Sequence, residues 1–299
     1  MAEYPSSSWT DYELLDSGAG EKLERFGAYV LARPEPKALW DKSMSDAEWR
    51  RLAHTTFTPG AGFGKAGKED SGTWNRLRKM DDQWHIKYAN ADGLKMDLRL
   101  GLTSFKHVGV FPEQAPNWDY IYRQTRALAA KGRTPRVLNL FAYTGGASLA
   151  AKAAGADVTH LDSVRQVVTW ARGNMENSGL DGIRWVVEDA MKFARREARR
   201  GNRYDGIILD PPAYGHGPDG EKWKLDECLF GMLRSVGEIL APQDAFLVLN
   251  LYSNGYSALL GETVLRQAMR VGEMESGELA LNDKFGKALP LSIVVRMTR

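Results

Sequence analysis

The stretch Arg136-Val137-Leu138-Asn139-Leu140-Phe141-Ala142-Tyr143-Thr144-Gly145-Gly146-Ala147-Ser148-Leu149-Ala150-Ala151-Lys152-Ala153-Ala154 decides the fold. It opens as a compact apolar run over residues 136–141, passes through Thr144-Gly145-Gly146, and continues as an Ala-rich helix over residues 147–154. That order is strand, tight glycine turn, helix. Downstream the unit recurs. Strands are expected over residues 157–161, 183–188, 204–209 and 245–252, alternating with helices over 163–177, 189–200, 226–240 and 256–270. A helix over 119–131, closed by Gly132, precedes the series, and a strand pair over 275–281 and 291–297 ends it around Asp283-Lys284-Phe285-Gly286. Such alternation predicts a parallel sheet covered on both faces by right-handed crossovers. Ligands bind such sheets beyond the carboxyl ends of the strands. The residues placed there are Thr144-Gly145-Gly146, Asp162, Asp189 and Asp210-Pro211-Pro212.

Residues upstream of about 100 have a different texture. Short strand-like runs at 12–15 and 28–32 flank the turn formers Ser17-Gly18-Ala19-Gly20, and runs at 84–88 and 94–98 flank Asn90-Ala91-Asp92-Gly93, a hairpin-type turn. A small β-rich domain over 1–118 is expected, followed by an α/β domain over 119–299. Residues 58–72 hold five glycines with Lys65 and Lys68 and read as a flexible loop, with a backbone-rich anion contact as the alternative. Six of the nine tryptophans lie before residue 120 and are read as packing residues.

The 299 residues suffice for one large domain or two modest ones. Forty Lys and Arg against 38 Asp and Glu leave a net charge of +2, which names no partner, and 26% charged residues is ordinary for a globular chain. A single cysteine, Cys228, excludes an internal disulfide framework and a multi-thiolate metal site, and a cytoplasmic setting is the expectation. The five histidines show no metal-type spacing. No run approaches the roughly 18 apolar residues that span a bilayer, so no membrane association is expected.

A glycine pair between strand and helix lets backbone amides face a carboxylate or phosphate; equally, it is a tight turn that needs positive φ. An acidic residue closing the second strand suits a ribose diol; equally, Asp162 caps the next helix. The turn lacks the G-x-G-x-x-G of a dinucleotide fingerprint, and no Gly-Lys-Ser or Gly-Lys-Thr of a phosphate-binding loop follows the strand. S-adenosylmethionine, with an amino-acid end, a ribose and an adenine but no pyrophosphate, remains. Asp189 then suits the adenine amino group. In Asp210-Pro211-Pro212-Ala213-Tyr214, the prolines stiffen the strand exit and fix acceptor carbonyls beside a carboxylate, a platform for a flat substrate on whose face Tyr214 can stack. A rigid turn with a buried Tyr is the structural alternative.

These residues resemble a family. Asn139-Leu140-Phe141-Ala142-Tyr143-Thr144-Gly145-Gly146, Leu161-Asp162-Ser163, Glu188-Asp189-Ala190 and Leu209-Asp210-Pro211-Pro212 resemble the class I S-adenosylmethionine-dependent methyltransferases, and more narrowly the branch of bacterial large-subunit ribosomal RNA cytosine-5 methyltransferases. Phe105-Lys106-His107-Val108-Gly109-Val110-Phe111-Pro112-Glu113-Gln114 is similar to that branch's motif just before the catalytic domain. The likeness spans roughly residues 100–297. It implies a Rossmann-like, seven-stranded sheet with the last strand antiparallel. It further implies cofactor contacts at Lys106, Gln114, Asn139, Phe141, Tyr143, Thr144, Gly145, Asp162, Ser163, Asp189, Ala190 and Asp210, and a catalytic substrate site at Asp210, Pro211, Pro212 and Tyr214. The expected activity is methylation of a base in ribosomal RNA; the alternatives are a methyltransferase of a small molecule or protein, or a non-catalytic RNA- or nucleotide-binding module.

Two departures matter. The branch's N-terminal RNA-binding module is not recognisable in residues 1–100. Cytosine-5 methylation uses a Cys that adds to the ring, and where the branch carries it, after the fifth strand, this chain reads Leu251-Tyr252-Ser253-Asn254. Cys228 falls in an expected helix and is read as a packing residue, which leaves a nitrogen or oxygen acceptor open. The basic run from Lys192 to Arg203 is read as a solvated helix end, and His216, between two glycines, as a general base or simply a loop residue.

Overall fold

In a computed structural model, residues 1–63, 70–252 and 255–299 are described. Lys65, Lys68, Ser253 and Asn254 lie outside them. The upstream half contains β1 (Ala2–Glu3), β2 (Tyr12–Gly18), β3 (Glu21–Phe26), β4 (Tyr29–Pro34), α1 (Asp46–Leu52), β5 (Thr55–Pro59), β6 (Gly72–Arg76), β7 (Gln83–Ala89) and β8 (Lys95–Gly101). Strands β2 to β6 form one sheet in sequence order, and β7 and β8 form a separate antiparallel hairpin closed at Gly93, whose φ is +99°. Strands β2, β4, β7 and β8 fall on the expected runs, β4 and β8 starting one residue later.

Elements β3, α1, β5 and β6 were not expected. In β3, Lys22 and Glu24 turn inward, and Glu24 accepts from Arg33 at 2.9 and 2.6 Å, so a charged strand is buried by pairing across the sheet. Helix α1 starts on a reciprocal Ser45 and Glu48 capping box.

The downstream half runs α2 (Ala115–Ala129), β9 (Arg136–Leu140), α3 (Gly146–Ala153), β10 (Asp157–Asp162), α4 (Arg165–Asn177), β11 (Arg184–Val187), α5 (Ala190–Arg199), β12 (Gly206–Leu209), β13 (Tyr214–His216), β14 (Lys222–Lys224), α6 (Leu225–Ile239), β15 (Phe246–Leu251), α7 (Ala258–Ala268), β16 (Glu273–Asn282) and β17 (Ala288–Thr298). Helix α2 starts four residues before the expected boundary because Pro116 sits in its first turn, where a missing N–H and fixed φ favour initiation. The main sheet has the order β1-β16-β17-β15-β12-β9-β10-β11. Its seven expected strands are all present, with β17 antiparallel to both neighbours, and β1 adds a two-residue eighth at the edge. Every residue of β12 and β15 is buried, as continuous apolar runs require when helices cover both faces.

On one face lie α5, α6 and α7. On the other, α2, α3 and α4 pack between the sheet and the β7–β8 hairpin, and one apolar cluster runs from Trp9, Phe26 and Tyr88 through Trp118 to Leu149, Val158 and Val248. Trp9, Tyr88 and Trp118 meet edge to face, with centroids 5.0 to 5.9 Å apart. The upstream sheet is also tied to the tip of β16–β17: Ser17 Oγ donates to Asp283 at 2.9 Å and Lys287 Nζ to Asp16 at 2.8 Å. Among the described residues no helix is long and apolar enough to cross a membrane.

Candidate functional site

The turn between β9 and α3 is strained. Phe141, Tyr143 and Gly145 have φ of +58°, +49° and +93°, a region that disfavours L side chains. Its neighbours hold it in place: the Ala142 amide donates to Leu161 O at 3.0 Å, the Tyr143 amide to Asp162 Oδ2 at 2.9 Å, and Thr144 Oγ1 to Gly109 O at 2.6 Å. From behind, a Cβ on Gly145 would sit 3.1 Å from the Ala171 methyl, and one on Gly146 2.9 Å from the Trp118 indole. The turn therefore needs both glycines sterically, and its free surface is backbone. Beneath it Asn139 Nδ2 donates to Ser148 Oγ at 2.9 Å, which in turn pairs with His160 Nδ1 at 2.9 Å. Burial lowers the His160 pKa to about 3, so its imidazole is neutral.

Above the turn opens a cleft of about 600 Å³, part of it open to solvent. Gln114, Asn139, Phe141, Tyr143, Thr144, Gly145 and Asp210, all expected at the site, line it together, along with Gly109, Phe111 and Asn250. The cleft lies at the carboxyl end of β9, between β10 and β12, where strand order reverses. Phe111 forms one wall, its ring 5.4 Å from Tyr143 and 5.3 Å from Tyr252.

Asp162 stands one layer behind the lining, accepting from the Tyr143 and Val164 amides, each at 2.9 Å, while burial raises its pKa against those bonds. Ser163 follows it outside the lining. Asp189 caps α5 by accepting from the Lys192 amide at 2.8 Å, and Ala190 is buried in that helix; neither lines the cleft. Lys106 also stands apart, its ammonium 2.8 Å from Asp70, which His107 shares at 2.9 Å. Pro211, Pro212 and Tyr214 continue from Asp210 without lining the cleft: the Pro212 carbonyl accepts from Trp223 Nε1 at 2.7 Å, and Tyr214 is 44% exposed rather than buried. Cys228 is half-buried in α6, packed against the α5–α7 core, and does not line the cleft.

Asp210 is the chemically distinctive group. Burial pushes its carboxyl up to about 7; the Asn250 amide, donating at 2.6 Å, opposes the shift, and the nearby Glu113 adds to it. Ser292 Oγ donates to Asn250 Oδ1 at 3.0 Å and so fixes which end of that amide faces Asp210. Glu113 accepts from the Tyr252 hydroxyl through one oxygen, its other oxygen is buried without a partner, and burial raises its pKa. Sequence reasoning missed Asn250 and gave Glu113 no role. Asn250 carried a signal: it is the one polar residue in the buried run of β15.

The cleft fits an adenosyl amino acid. The glycine turn leaves backbone to face a ligand, and Gln114 Nε2 is buried there with at most a weak bond to the Tyr252 phenol. Fold and cleft define a doubly wound α/β protein with a cofactor site at its switch point.

Residues 72–279 match the S-adenosylmethionine-dependent methyltransferase family, and the chain belongs to it. Among curated relatives, Ribosomal RNA large subunit methyltransferase K/L of Shewanella baltica (strain OS155) is 28% identical over 219 residues, 72% of this chain and 29% of the relative. The protein of the same name from Shewanella sp. (strain ANA-3) is 30% identical over 193 residues, 63% of this chain and 26% of the relative. This chain thus spans 26 to 34% of the length of the curated relatives it matches. A crystal structure of a SAM-dependent methyltransferase from Agrobacterium tumefaciens superposes with a TM-score of 0.88 at 38% identity, covering 100% of this chain and 93% of that one. SMU.776, a proposed methyltransferase complexed with SAH, shares the fold at a TM-score of 0.71 and 17% identity over 98% of this chain and 76% of that one. S-adenosylmethionine is accordingly the cofactor.

Proposed function

We propose that the chain methylates a base of ribosomal RNA. The observation that carries the transfer reading is the juxtaposition, in one cleft, of the glycine turn with Asp210 and the Asn250 amide that Ser292 orients; the name of the curated relatives, a ribosomal RNA large subunit methyltransferase, supports the substrate class. Asn139, Phe141, Tyr143, Thr144, Gly145 and Gln114 would hold the cofactor, Asp162 its ribose, and Asp189 with Ala190 its adenine. Lys106 and Ser163 would close the site from its margins. The cofactor supplies an electrophilic methyl carbon. Asp210 aligns the acceptor and, as a carboxylate, takes its proton; holding the acceptor in line provides much of the acceleration. Pro211 and Pro212 fix that carboxylate's backbone, and Tyr214 faces the substrate.

The single thiol, Cys228, is away from the cleft, which favours an acceptor with its own lone pair, a nitrogen or an oxygen, over a carbon needing covalent activation. In this reading residues 1–118 are the substrate-side unit, residues 119–299 the transfer unit, and the setting is the reducing cytoplasm. Incubating the protein with methyl-labelled cofactor and separated RNA, protein and metabolite fractions tests it: label belongs in RNA, and label confined to another fraction refutes the substrate class. Asp210→Ala should lower the transfer rate at least a hundredfold, about 2.7 kcal/mol, with S-adenosylhomocysteine affinity nearly unchanged. A parallel fall in both would place Asp210 on the cofactor instead.

A further inference from the structure

Immediately after Asp210-Pro211-Pro212, strands β13 and β14 pair antiparallel with Tyr214 opposite Lys224, Gly215 opposite Trp223, and His216 opposite Lys222. Side chains alternate across a strand, so this register sorts the hairpin into two faces. Gly215 and Trp223 turn inward: Trp223 is 6% exposed, donates Nε1 to Pro212 O at 2.7 Å, and packs its ring 4.8 Å from Phe141 of the cleft. Tyr214, His216, Lys222 and Lys224 are all exposed on the other face.

The acids of the hairpin are drawn away from that face. Asp219 and Glu221 both pair with Lys192 at the start of α5. Outside, Lys224 has an exposed partner in Glu227 at 2.8 Å with Asp226 also nearby, and Lys222 has no acidic partner among the described residues. The result is an aromatic ring and an imidazole flanked by two lysines, on a platform bolted to the substrate end of the cleft.

We propose that this outward face binds single-stranded RNA next to the target nucleotide, with a flanking base stacked on Tyr214 and consecutive phosphates held by Lys222 and Lys224. The proposal rests on RNA being the substrate. An aromatic face binds any base, and a paired cation holds the backbone beside it, so register rather than sequence is recognised. The anchored Trp223 keeps the face in fixed relation to Asp210, which delivers one nucleotide to the cleft.

The test uses the full chain and a fluorescein-labelled single-stranded RNA of about 16 nucleotides taken from ribosomal RNA, with anisotropy read from about 50 to 200 mM salt. In the double variant Lys222→Ala with Lys224→Ala, affinity at low salt falls at least tenfold. The slope of log affinity against log salt falls by about 1.4, since each phosphate contact to a single strand contributes about 0.7. Tyr214→Ala weakens binding without changing the slope, and Tyr214→Phe restores it. S-adenosylhomocysteine binding by the lysine variant stays at the wild-type value, which verifies its fold. If wild type methylates RNA while the lysine variant keeps its affinity and slope, the hairpin assignment is wrong and the functional reading stands. If wild type neither binds nor methylates RNA, both fall; selective loss of binding to a polyglutamate peptide would point to a protein partner and overturn it too.

Discussion

Replacing Asn250 with Ala removes the one side-chain hydrogen bond, among the described residues, that holds the Asp210 carboxyl down against burial. That bond is 2.6 Å long and its donor is oriented by Ser292, so it is a well-formed charge-assisted bond of about 1.5 to 3 kcal/mol. At 1.36 kcal/mol per unit, the loss raises the Asp210 pKa by about 1 to 2 units from its value of about 7. In the proposed role of Asp210 the carboxylate takes the acceptor's proton, so the wild-type rate at saturating cofactor should rise with pH through about 7 and then level. In Asn250→Ala the rising limb moves up to roughly pH 8 to 9 with a similar plateau. Ser292→Ala, which only frees the amide to rotate, moves it by a few tenths of a unit on the same reasoning. Single-turnover methyl transfer across that pH range, with alkaline points checked for retained fold, is the measurement. A second readout follows from the sign of the shift. A carboxyl whose pKa is raised on folding lowers stability as pH climbs from its unfolded value near 3.8 to about 7. Asp210→Asn should therefore raise Tm at pH 8 more than at pH 4. A limb that stays in place or moves to lower pH in Asn250→Ala would refute the assignment of Asp210 as the titrating acceptor.

Asp162→Ala removes the acceptor of the Tyr143 and Val164 amides; calorimetry should show S-adenosylhomocysteine binding weakened at least tenfold, about 1.4 kcal/mol, and equal affinity in a folded variant would take Asp162 out of the site. Gly145→Ala places a methyl 3.1 Å from Ala171 at a φ of +93°, so a loss of stability of about 1 to 2 kcal/mol and weaker cofactor binding are expected in denaturant titration and calorimetry. Cys228→Ser should retain methyl transfer, with no thiol adduct forming on RNA containing 5-fluorocytosine; abolished transfer together with a trapped adduct would make Cys228 the nucleophile.

The sheet was legible because β9, β10, β12 and β15 are short, largely apolar and almost wholly buried runs separated by helices with clear ends. The glycine turn, Asp162 and Asp210 were legible because they stand where such strands stop. Strand β3 was not, since its inward residues Lys22 and Glu24 are charged and only their partners Arg33 and Glu35 make them core residues. Hairpin β13–β14 hid behind Gly215, Gly217 and Gly220, which read as loop punctuation, although its strands are only three residues each. Helix α1 carried a readable signal in Ser45 and Glu48. Asp189 shows why a strand-end acid is ambiguous: its carboxylate caps a helix, and nothing local distinguishes that from a ligand contact.

The ties between Asp16 or Ser17 and Asp283 or Lys287 span almost the whole chain. On the ribosome, at about 5 to 20 residues per second, β2 emerges on the order of tens of seconds before its partners exist. For that interval Asp16 and Ser17 lack the lysine and carboxylate they pair with, so this sheet waits for the synthesis of the whole downstream unit before it reaches its final contacts.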